Sequence, residues 1–425
     1  MAMRLPSASA NVRSTTNCYG PCRNLRPAAF RWRCRSAGLS DQSAQNTGMS
    51  VPSAPASPAD LMQLALQLAE DGLYRTSPNP RVGCVLVNAG QQIIGQGSTQ
   101  RAGGPHAEVM ALRDARARGH ATHGATAYVT LEPCSHHGRT GPCCDALVEA
   151  GIARVVASLA DPNPLVAGQG FERLRGAGVQ VEVGPGAAAS RELNIGFFSR
   201  MQRGLPWVRM KAATSLDGFT ALPDGTSQWI TSPEARADGH AWRARACAVL
   251  TGIGTILADD PRLDVREAET PRQPHLAIID SHLQTPPGAR FFEVPQRQIL
   301  IYTASADSAK AAVLQDRGAQ VIAAPMAGDG HIDLHWVLQD LARQRSVNEL
   351  HVEAGARLNG ALVRARLVDE ILLYMAPTLL GAGRGMAQWG PPGTLAGAHA
   401  MAWQDIDRVG ADLRIIARGA GRDVF

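Results

Sequence analysis

AYVTLEPCSHHGRTGPCCDALVEAGIARVVAS, residues 127–158, decides how the first half of this 425-residue chain folds. An apolar run (Ala127–Leu131) is followed by two Pro-Cys pairs, a helix-like stretch (Cys143–Ala150) and a second apolar run (Arg154–Ser158). The alternation continues with a helix at Phe171–Gly176 and a strand at Val179–Val183. Strand and helix in turn argue for a three-layer α/β/α domain. Working outward, Leu61, Leu64, Ala65 and Leu68 recur at helical spacing up to Asp71-Gly72. Two β-like runs, Val82–Val87 and Gln91–Gln96, flank the turn signal Asn88-Ala89-Gly90. His106–Arg118 reads as a helix with Pro105 near its start. Downstream, Leu193–Arg203 reads as a linking helix, and Gly204-Leu205-Pro206 punctuates the chain.

A second β-rich series begins at Trp207 and takes in Ala248–Thr251, Leu276–Asp280, Gln298–Tyr302, Val321–Ala323, Leu350–Val352, Ile371–Met375 and Leu413–Ile416. Helical stretches at Pro233–Arg245, Ser308–Arg317, His335–Arg345 and Ala356–Ala365 lie between them. The organisation expected is therefore two α/β domains, 49–203 and 204–425, each with its own core. No repeat of fixed period is visible.

Charge is distributed unevenly. Residues 1–48 hold seven Arg and one acid, Asp41, whereas 49–425 hold 35 basic and 36 acidic residues, a net of −1. The leader, without an apolar core, is expected to be a disordered extension or a misassigned start rather than a transit peptide. With near-neutral charge and 5% aromatics, the folded part lacks the basic, stacking surface of a nucleic-acid binder. No run of 18 apolar residues is present, so no membrane-spanning helix is expected. Only two of the 42 basic residues are lysines, Lys211 and Lys310. Outside the leader the cysteines are Cys84, Cys134, Cys143, Cys144 and Cys247, an odd and clustered set that suits thiolate or metal chemistry better than disulfides.

Chemistry concentrates in Pro105-His106-Ala107-Glu108, Glu132-Pro133-Cys134 and Pro142-Cys143. One His and two Cys make a three-ligand zinc site that leaves a fourth position for water, the catalytic arrangement. A zinc ion there lowers the pKa of its water from about 15.7 to about 7. Cys143 falls at a helix start, where the dipole favours a negative ligand. Glu108 would carry protons between that water and a departing nitrogen. Zinc deaminases show H-x-E…P-C-x-x-C, and this chain departs from it, with eight residues between Cys134 and Cys143. A structural cluster is the alternative, and Cys144 could replace Cys143. Because residues i and i+2 do not share a helix face, Glu108 must use the geometry of the first turn.

PNPRVGCVLV (78–87), GGPHAEVMAL (103–112) and TLEPCSHHGRTGPCCDAL (130–147) together resemble the bifunctional deaminase/reductase family of riboflavin biosynthesis. CSHHGRT between the cysteines sets that family apart from cytidine and tRNA-adenosine deaminases. Gly141 departs from it, standing where the family usually has Pro. The resemblance continues through KAATSLDGFTA (211–221), SQWITSPEAR (227–236), GIGTILADDPRL (252–263) and VEAGARL (352–358), the motifs of a reductase half similar in fold to dihydrofolate reductase. It implies zinc in a cytidine-deaminase-like domain, and NADPH in the second. By position it implies cofactor contacts at Ala213, Trp229, Thr255, Asp259, Ser281 and Gly355, and substrate contacts at Asn79, Ser227, Arg243, Leu263, Arg266 and Glu353, with Lys211 a possible further reductase-site residue. Arg243 and Arg266 suit a phosphate, Glu353 suits ribityl hydroxyls, and the turn after Val352 offers backbone N–H groups to a phosphate. Gly252-Ile253-Gly254 lacks the full dinucleotide fingerprint.

The reaction implied is hydrolytic deamination of 2,5-diamino-6-(5-phosphoribosylamino)pyrimidin-4(3H)-one, then reduction of 5-amino-6-(5-phosphoribosylamino)uracil to the ribitylamino product. Expected partners are those phosphorylated pyrimidines, with neither nucleic acid nor membrane, in a cytoplasmic homo-oligomer. A deaminase fused to a non-catalytic domain is the competing reading. With the metal motifs ending at Cys143 and the reductase motifs starting at Lys211, the two sites are expected to act independently.

Overall fold

The computed structural model describes residues 57–136, 141–164, 166–391 and 393–425. The expectations for 1–48, and for 137–140 of the CSHHGRT stretch, lie outside them.

The first half contains α1 (Pro58–Glu70), β1 (Gly83–Val87), β2 (Ile93–Ser98), α2 (Ala107–Ala117), β3 (Thr126–Val129), α3 (Cys143–Glu149), β4 (Arg154–Ala157), α4 (Gln169–Gly176), β5 (Gln180–Val183), α5 (Ala187–Leu193) and α6 (Ile195–Arg203). Ser57 starts α1 through a reciprocal capping box with Asp60. The five strands form one mixed sheet, β2-β1-β3-β4-β5, antiparallel through β2, β1 and β3 and parallel from β3 to β5. Successive side chains of β1 bury on opposite faces, as the period of a strand requires. Cys84 and Leu86 pack with α2, α3 and α4, while Val85 and Val87 pack with α1. This is the three-layer arrangement. Glycine brings α2 close to the sheet: a Cβ at Gly97 would stand 2.4 Å from the Ala111 nitrogen. The expected linking helix, Leu193–Arg203, is α6, while α5 ahead of it was not expected; Asn194 separates the two and turns its side chain to the Arg81 backbone, bonding both N–H and C=O.

The second half contains β6 (Trp207–Thr214), β7 (Phe219–Ala221), α7 (Pro233–Arg245), β8 (Ala248–Gly252), α8 (Ile253–Asp259), β9 (His275–Ile279), β10 (Ile299–Thr303), α9 (Ser308–Asp316), β11 (Ala319–Ala323), α10 (Leu334–Arg343), β12 (Glu349–Val352), α11 (Ala356–Arg364), β13 (Glu370–Met375), β14 (Arg384–Gly385), β15 (Met401–Val409) and β16 (Asp412–Gly419). Nine strands form a sheet in the order β11-β10-β9-β8-β12-β6-β13-β16-β15, while β14 pairs with β7. Pairing is parallel from β11 to β13 and antiparallel through β16 and β15. Helices α10 and α11 cover one face, and α7, α8 and α9 the other. The chain leaves β8 toward β9 but leaves β12 toward β13 on the opposite side. The β8/β12 boundary is thus a topological switch point, where open α/β sheets leave a crevice at the carboxyl ends of the strands. Among the described residues no helix is long and apolar enough to cross a membrane.

Candidate functional site

His106 caps α2 with extended backbone (φ −79°, ψ 170°) and so stands outside the helix, while Glu108 lies in its first turn. That step in backbone conformation lets residues two apart converge. The His106 Nδ1 atom is 3.3 Å from Cys143 Sγ and 3.5 Å from Cys134 Sγ, and the three donor atoms all lie within 4.8 Å of one another. Donors held about 2.0 Å (N) and 2.3 Å (S) from one tetrahedral ion stand roughly 3.5 Å apart, so the set fits zinc in distance and chemistry. Cys144 turns away, its thiol facing the carbonyl oxygens of Pro133 and Gly170 at 3.1 and 3.4 Å. Between the two candidate cysteines, geometry favours Cys143.

Cys143 opens α3, and its N–H donates to Cys134 Sγ at 3.4 Å. The hydrogen bond from the Cys143 thiol, with those from its N–H and His106, brings the Cys134 pKa down to about 4. The same Cys134 partnership, and then burial, push Cys143 up. A cation shared by both sulfurs would stabilise two thiolates at once. Glu108 is buried, and burial first, then the Cys134 charge, raise its carboxyl to about 7. An acid with that pKa can hold or release a proton near neutrality.

His106, Glu108 and Cys134 border a cavity of about 430 Å³ whose lining includes Asn79, Asp161, Asn163, Phe197 and Arg200. Asn79 thus lines the same cavity as His106, Glu108 and Cys134. Asp161, Asn163 and Arg200 were missed, although Pro-Asn-Pro occurs twice, at 78–80 and 162–164, and both copies reach the cavity. Glu132 was noticed without a role. Its carboxylate accepts from the N–H groups of Asp161, Gly168, Gly170 and Phe171, which fixes the strand end that carries Cys134. A Cβ at Gly141 would meet nothing within 4 Å, so the departure there relieves no clash.

In the second half the residues gather at the carboxyl ends of the parallel strands. Arg243 Nε and Nη2 donate to the two Glu353 oxygens at 2.6 and 2.9 Å. Arg243 also donates to the Asp264 carbonyl oxygen, and the Arg266 N–H donates to His240 Nδ1 at 3.4 Å. Leu263 adjoins them in the left-handed region (φ 49°), its carbonyl oxygen held by Arg297 Nη1 at 2.7 Å. The Lys211 ammonium lies 5.9 Å from the Tyr374 ring, and burial lowers its pKa, opposed by Glu353. Arg243, Leu263, Arg266, Glu353 and Lys211 thus form one neighbourhood. Arg243 and Glu353 hold each other, where separate substrate contacts were expected of them. Arg266 is half exposed and bonded to Asp264 at 2.8 Å.

Thr255 and Gly355 meet across the β8/β12 crevice, a Cβ at Gly355 being 3.8 Å from Thr255 Oγ1. Ser281 follows β9, Asp259 ends α8, and Ala213 lies near the end of β6. Trp229, 66% exposed, stacks beneath the Arg236 guanidinium, 4.4 Å from its ring centroid. No contact joins Ser227 to this group among the bonds of the described residues.

Residues 56–159 match the family described as the cytidine and deoxycytidylate deaminase zinc-binding region, and residues 206–411 match the RibD C-terminal domain. The riboflavin biosynthesis protein RibD of Escherichia coli K12 is 45% identical over 372 residues, covering 84% of this chain and 98% of that protein. The chain belongs to the RibD family of riboflavin-biosynthesis proteins. RibD of Acinetobacter baumannii has a solved structure with TM-score 0.77 and 40% identity, covering 85% of this chain and 98% of its own. A Thermotoga maritima diaminohydroxyphosphoribosylaminopyrimidine deaminase/5-amino-6-(5-phosphoribosylamino)uracil reductase gives TM-score 0.76 at 30% identity over 85% and 98% of the two chains. As a RibD protein, the chain is a deaminase and a reductase with zinc and NADPH as cofactors.

Proposed function

We propose that the 49–203 half deaminates 2,5-diamino-6-(5-phosphoribosylamino)pyrimidin-4(3H)-one and that the 204–425 half reduces the resulting 5-amino-6-(5-phosphoribosylamino)uracil. The observation that carries the reading is the His106–Cys134–Cys143 triad, with buried Glu108 beside it, opening on a cavity that Asn79 lines. Zinc, when bound, supplies a nucleophilic water at neutral pH. His106, Cys134 and Cys143 are the residues that would hold it. Glu108 takes a proton from the attacking water and returns one to the leaving amino group, so a C–N bond breaks, a C–O bond forms and ammonia departs.

In the second half, NADPH, when bound, supplies hydride to C1′ of the ribosyl group. Thr255 and the Gly355 turn flank the crevice suited to the cofactor, with Ala213, Trp229, Asp259 and Ser281 around it. Arg243, paired with Glu353, and Arg266 present guanidinium groups to the substrate phosphate. Ser227 and Leu263 complete the proposed substrate contacts, with Lys211 close by as a proton donor.

The test is metal analysis together with product mass after incubation with the diaminopyrimidine. Without NADPH, one amino group should be replaced by oxygen; with NADPH, two hydrogens should be added as well. A chain that binds zinc yet leaves the substrate mass unchanged would sink the reading. Deamination without reduction would favour the non-catalytic second domain.

A further inference from the structure

Asn348 precedes β12 in the reductase half, yet its side chain bonds two residues of the cavity beside His106, Cys134 and Glu108. Its Nδ2 donates to the Pro78 carbonyl oxygen at 2.9 Å, and its Oδ1 accepts from Arg200 Nε at 2.5 Å. Pro78 and Arg200 both line that cavity. One side-chain amide therefore joins two of its walls, the loop that carries Asn79 and helix α6.

The amide is itself firmly placed. Asn348 is buried, its N–H donates to Cys247 Sγ at 3.3 Å, and its carbonyl accepts from Trp207 N–H at 2.8 Å. Helix α6 approaches closely because position 196 is glycine, where a Cβ would stand 2.6 Å from the Asn348 carbonyl oxygen. Arg200 follows Gly196 by four residues and so shares its helix face. On the loop side, the Cys247 thiol donates to Ser77 Oγ at 3.4 Å, and Arg81 Nη1 reaches Glu349 at 2.6 Å. Asn79 thus lies between residues bonded to the reductase half at Ser77, Pro78 and Arg81, with the Arg81 backbone also held by Asn194 ahead of α6. No other side chain from that half bridges the loop and the helix within the described hydrogen bonds.

We propose that Asn348 is a positioning residue for deamination: the reductase half sets the width of the deaminase substrate cavity by tying Pro78 to Arg200. The proposal rests on the reading of this cavity as the deaminase substrate site. Freed from Asn348, the loop and helix would separate and Asn79 would lose its place, an effect on substrate binding more than on the zinc chemistry. Misplacement of a binding group is felt even far from the reacting atoms.

The test uses the full-length zinc protein and assays each reaction separately, supplying the deaminated intermediate for the reductase. Asn348→Ala should raise the deaminase KM about tenfold, the scale of a lost charge-assisted hydrogen bond. Zinc content, deaminase kcat and both reductase constants should stay at wild-type values. Asn348→Asp keeps the acceptor for Arg200 and loses the donor to Pro78, so its KM should fall between the two. An unchanged KM in a folded, zinc-loaded Asn348→Ala protein overturns the proposal, and so does an equal loss in both reactions. If Asn348→Ala does not fold, the nearly isosteric Asn348→Asp decides, and a wild-type KM there overturns it. Failure of the wild-type protein to deaminate would instead overturn the reading of the cavity.

Discussion

The two sites are built by different means. The deaminase site takes its three donors from the starts of α2 and α3 and the segment after β3, within residues 106–143, and its chemistry depends on rare side chains. The proposed reductase site is spread from Lys211 to Gly355 and depends on strand ends, backbone and common residues. Its charged members are bound to one another, as in Arg243–Glu353, and its cofactor neighbourhood is a crevice defined by strand order. Chemistry carried by a few atoms localises in sequence, whereas binding carried by topology does not. The two sites should accordingly respond to substitution in different ways.

The largest effect is expected at the metal site. Cys134→Ser or Cys143→Ser should abolish zinc binding and deamination, while Cys144→Ser, whose sulfur points elsewhere, should retain both. Glu108→Gln leaves the donors intact, so it should keep zinc and slow deamination ~10²-fold or more, the contribution of an acid/base group. Metal analysis beside the two activity assays checks all four proteins. Reduction of the supplied intermediate should be untouched in each; a parallel loss would merge the two sites into one.

Next in size is the joint between the halves. Along β12, Glu349 and His351, and Glu353 just beyond its end, alternate onto one face, so a single extended segment reaches from the joint to the proposed reductase site. Glu349 is buried, with Arg81, Arg209 and Arg245 at 2.6, 3.0 and 2.7 Å. Burial would raise its pKa, but Arg245, Arg81 and Arg209 outweigh that and hold it well below the carboxylate range. Glu349→Ala leaves buried cations uncompensated and should cost about 3–5 kcal/mol, as breaking one side of a buried ion pair does. Urea unfolding should show it as a lower midpoint at unchanged slope. A midpoint equal to wild type would mean that the cluster adds nothing.

The joint is also where sequence reading stopped. The alternation around 127–158, the His-Cys-Cys set that the fold brings together and the β-rich series from Trp207 were legible because periodicity and residue type carry them. β15 was not seen: it is an edge strand, with Trp403 67% and Ile406 53% exposed, so its pattern lacks the buried alternation that marks a strand. The break at Asn194 depends on Arg81, 113 residues away in sequence. Nothing local in Asn348 or Glu349 indicates that they face another domain. Separate cores were expected and two sets of apolar clusters are present, but independence of the sites does not follow, since buried polar bonds cross between the halves.

A smaller effect is expected at Arg266. Its guanidinium is 53% exposed and bonded to Asp264, so solvent screens whatever it contributes to a phosphate. Losing a charge-assisted bond costs ~1.5–3 kcal/mol, and exposure places this one at the lower end. Arg266→Ala should therefore lower reductase kcat/KM about tenfold and leave deamination unchanged. An effect below about twofold would remove Arg266 from the substrate site, and one above a hundredfold would give it a role in the reduction itself.

The smallest effect concerns pH and the stability of the reductase half. Burial first, then Arg243 and Arg266, lower the His240 pKa to about 4; burial does most to bring His351 to about 3. The fold therefore holds both imidazoles neutral, and His240 Nδ1 accepts hydrogen bonds from the Arg266 N–H and the Arg243 guanidinium. In the unfolded chain a histidine takes up its proton near pH 6.5. Between about 6.5 and 4 the unfolded state binds more protons, so stability falls as pH falls. The contribution is complete above about 6.5 and gone below the folded values. Acid also weakens the metal site by protonating its donors, so the decisive quantity is the difference between variants. His240→Gln should flatten the decline in Tm between pH 6.5 and 4 by a few degrees. Should the full decline persist in that variant, acid sensitivity originates at the zinc centre or at His351, and the contrast between the halves must be redrawn around them.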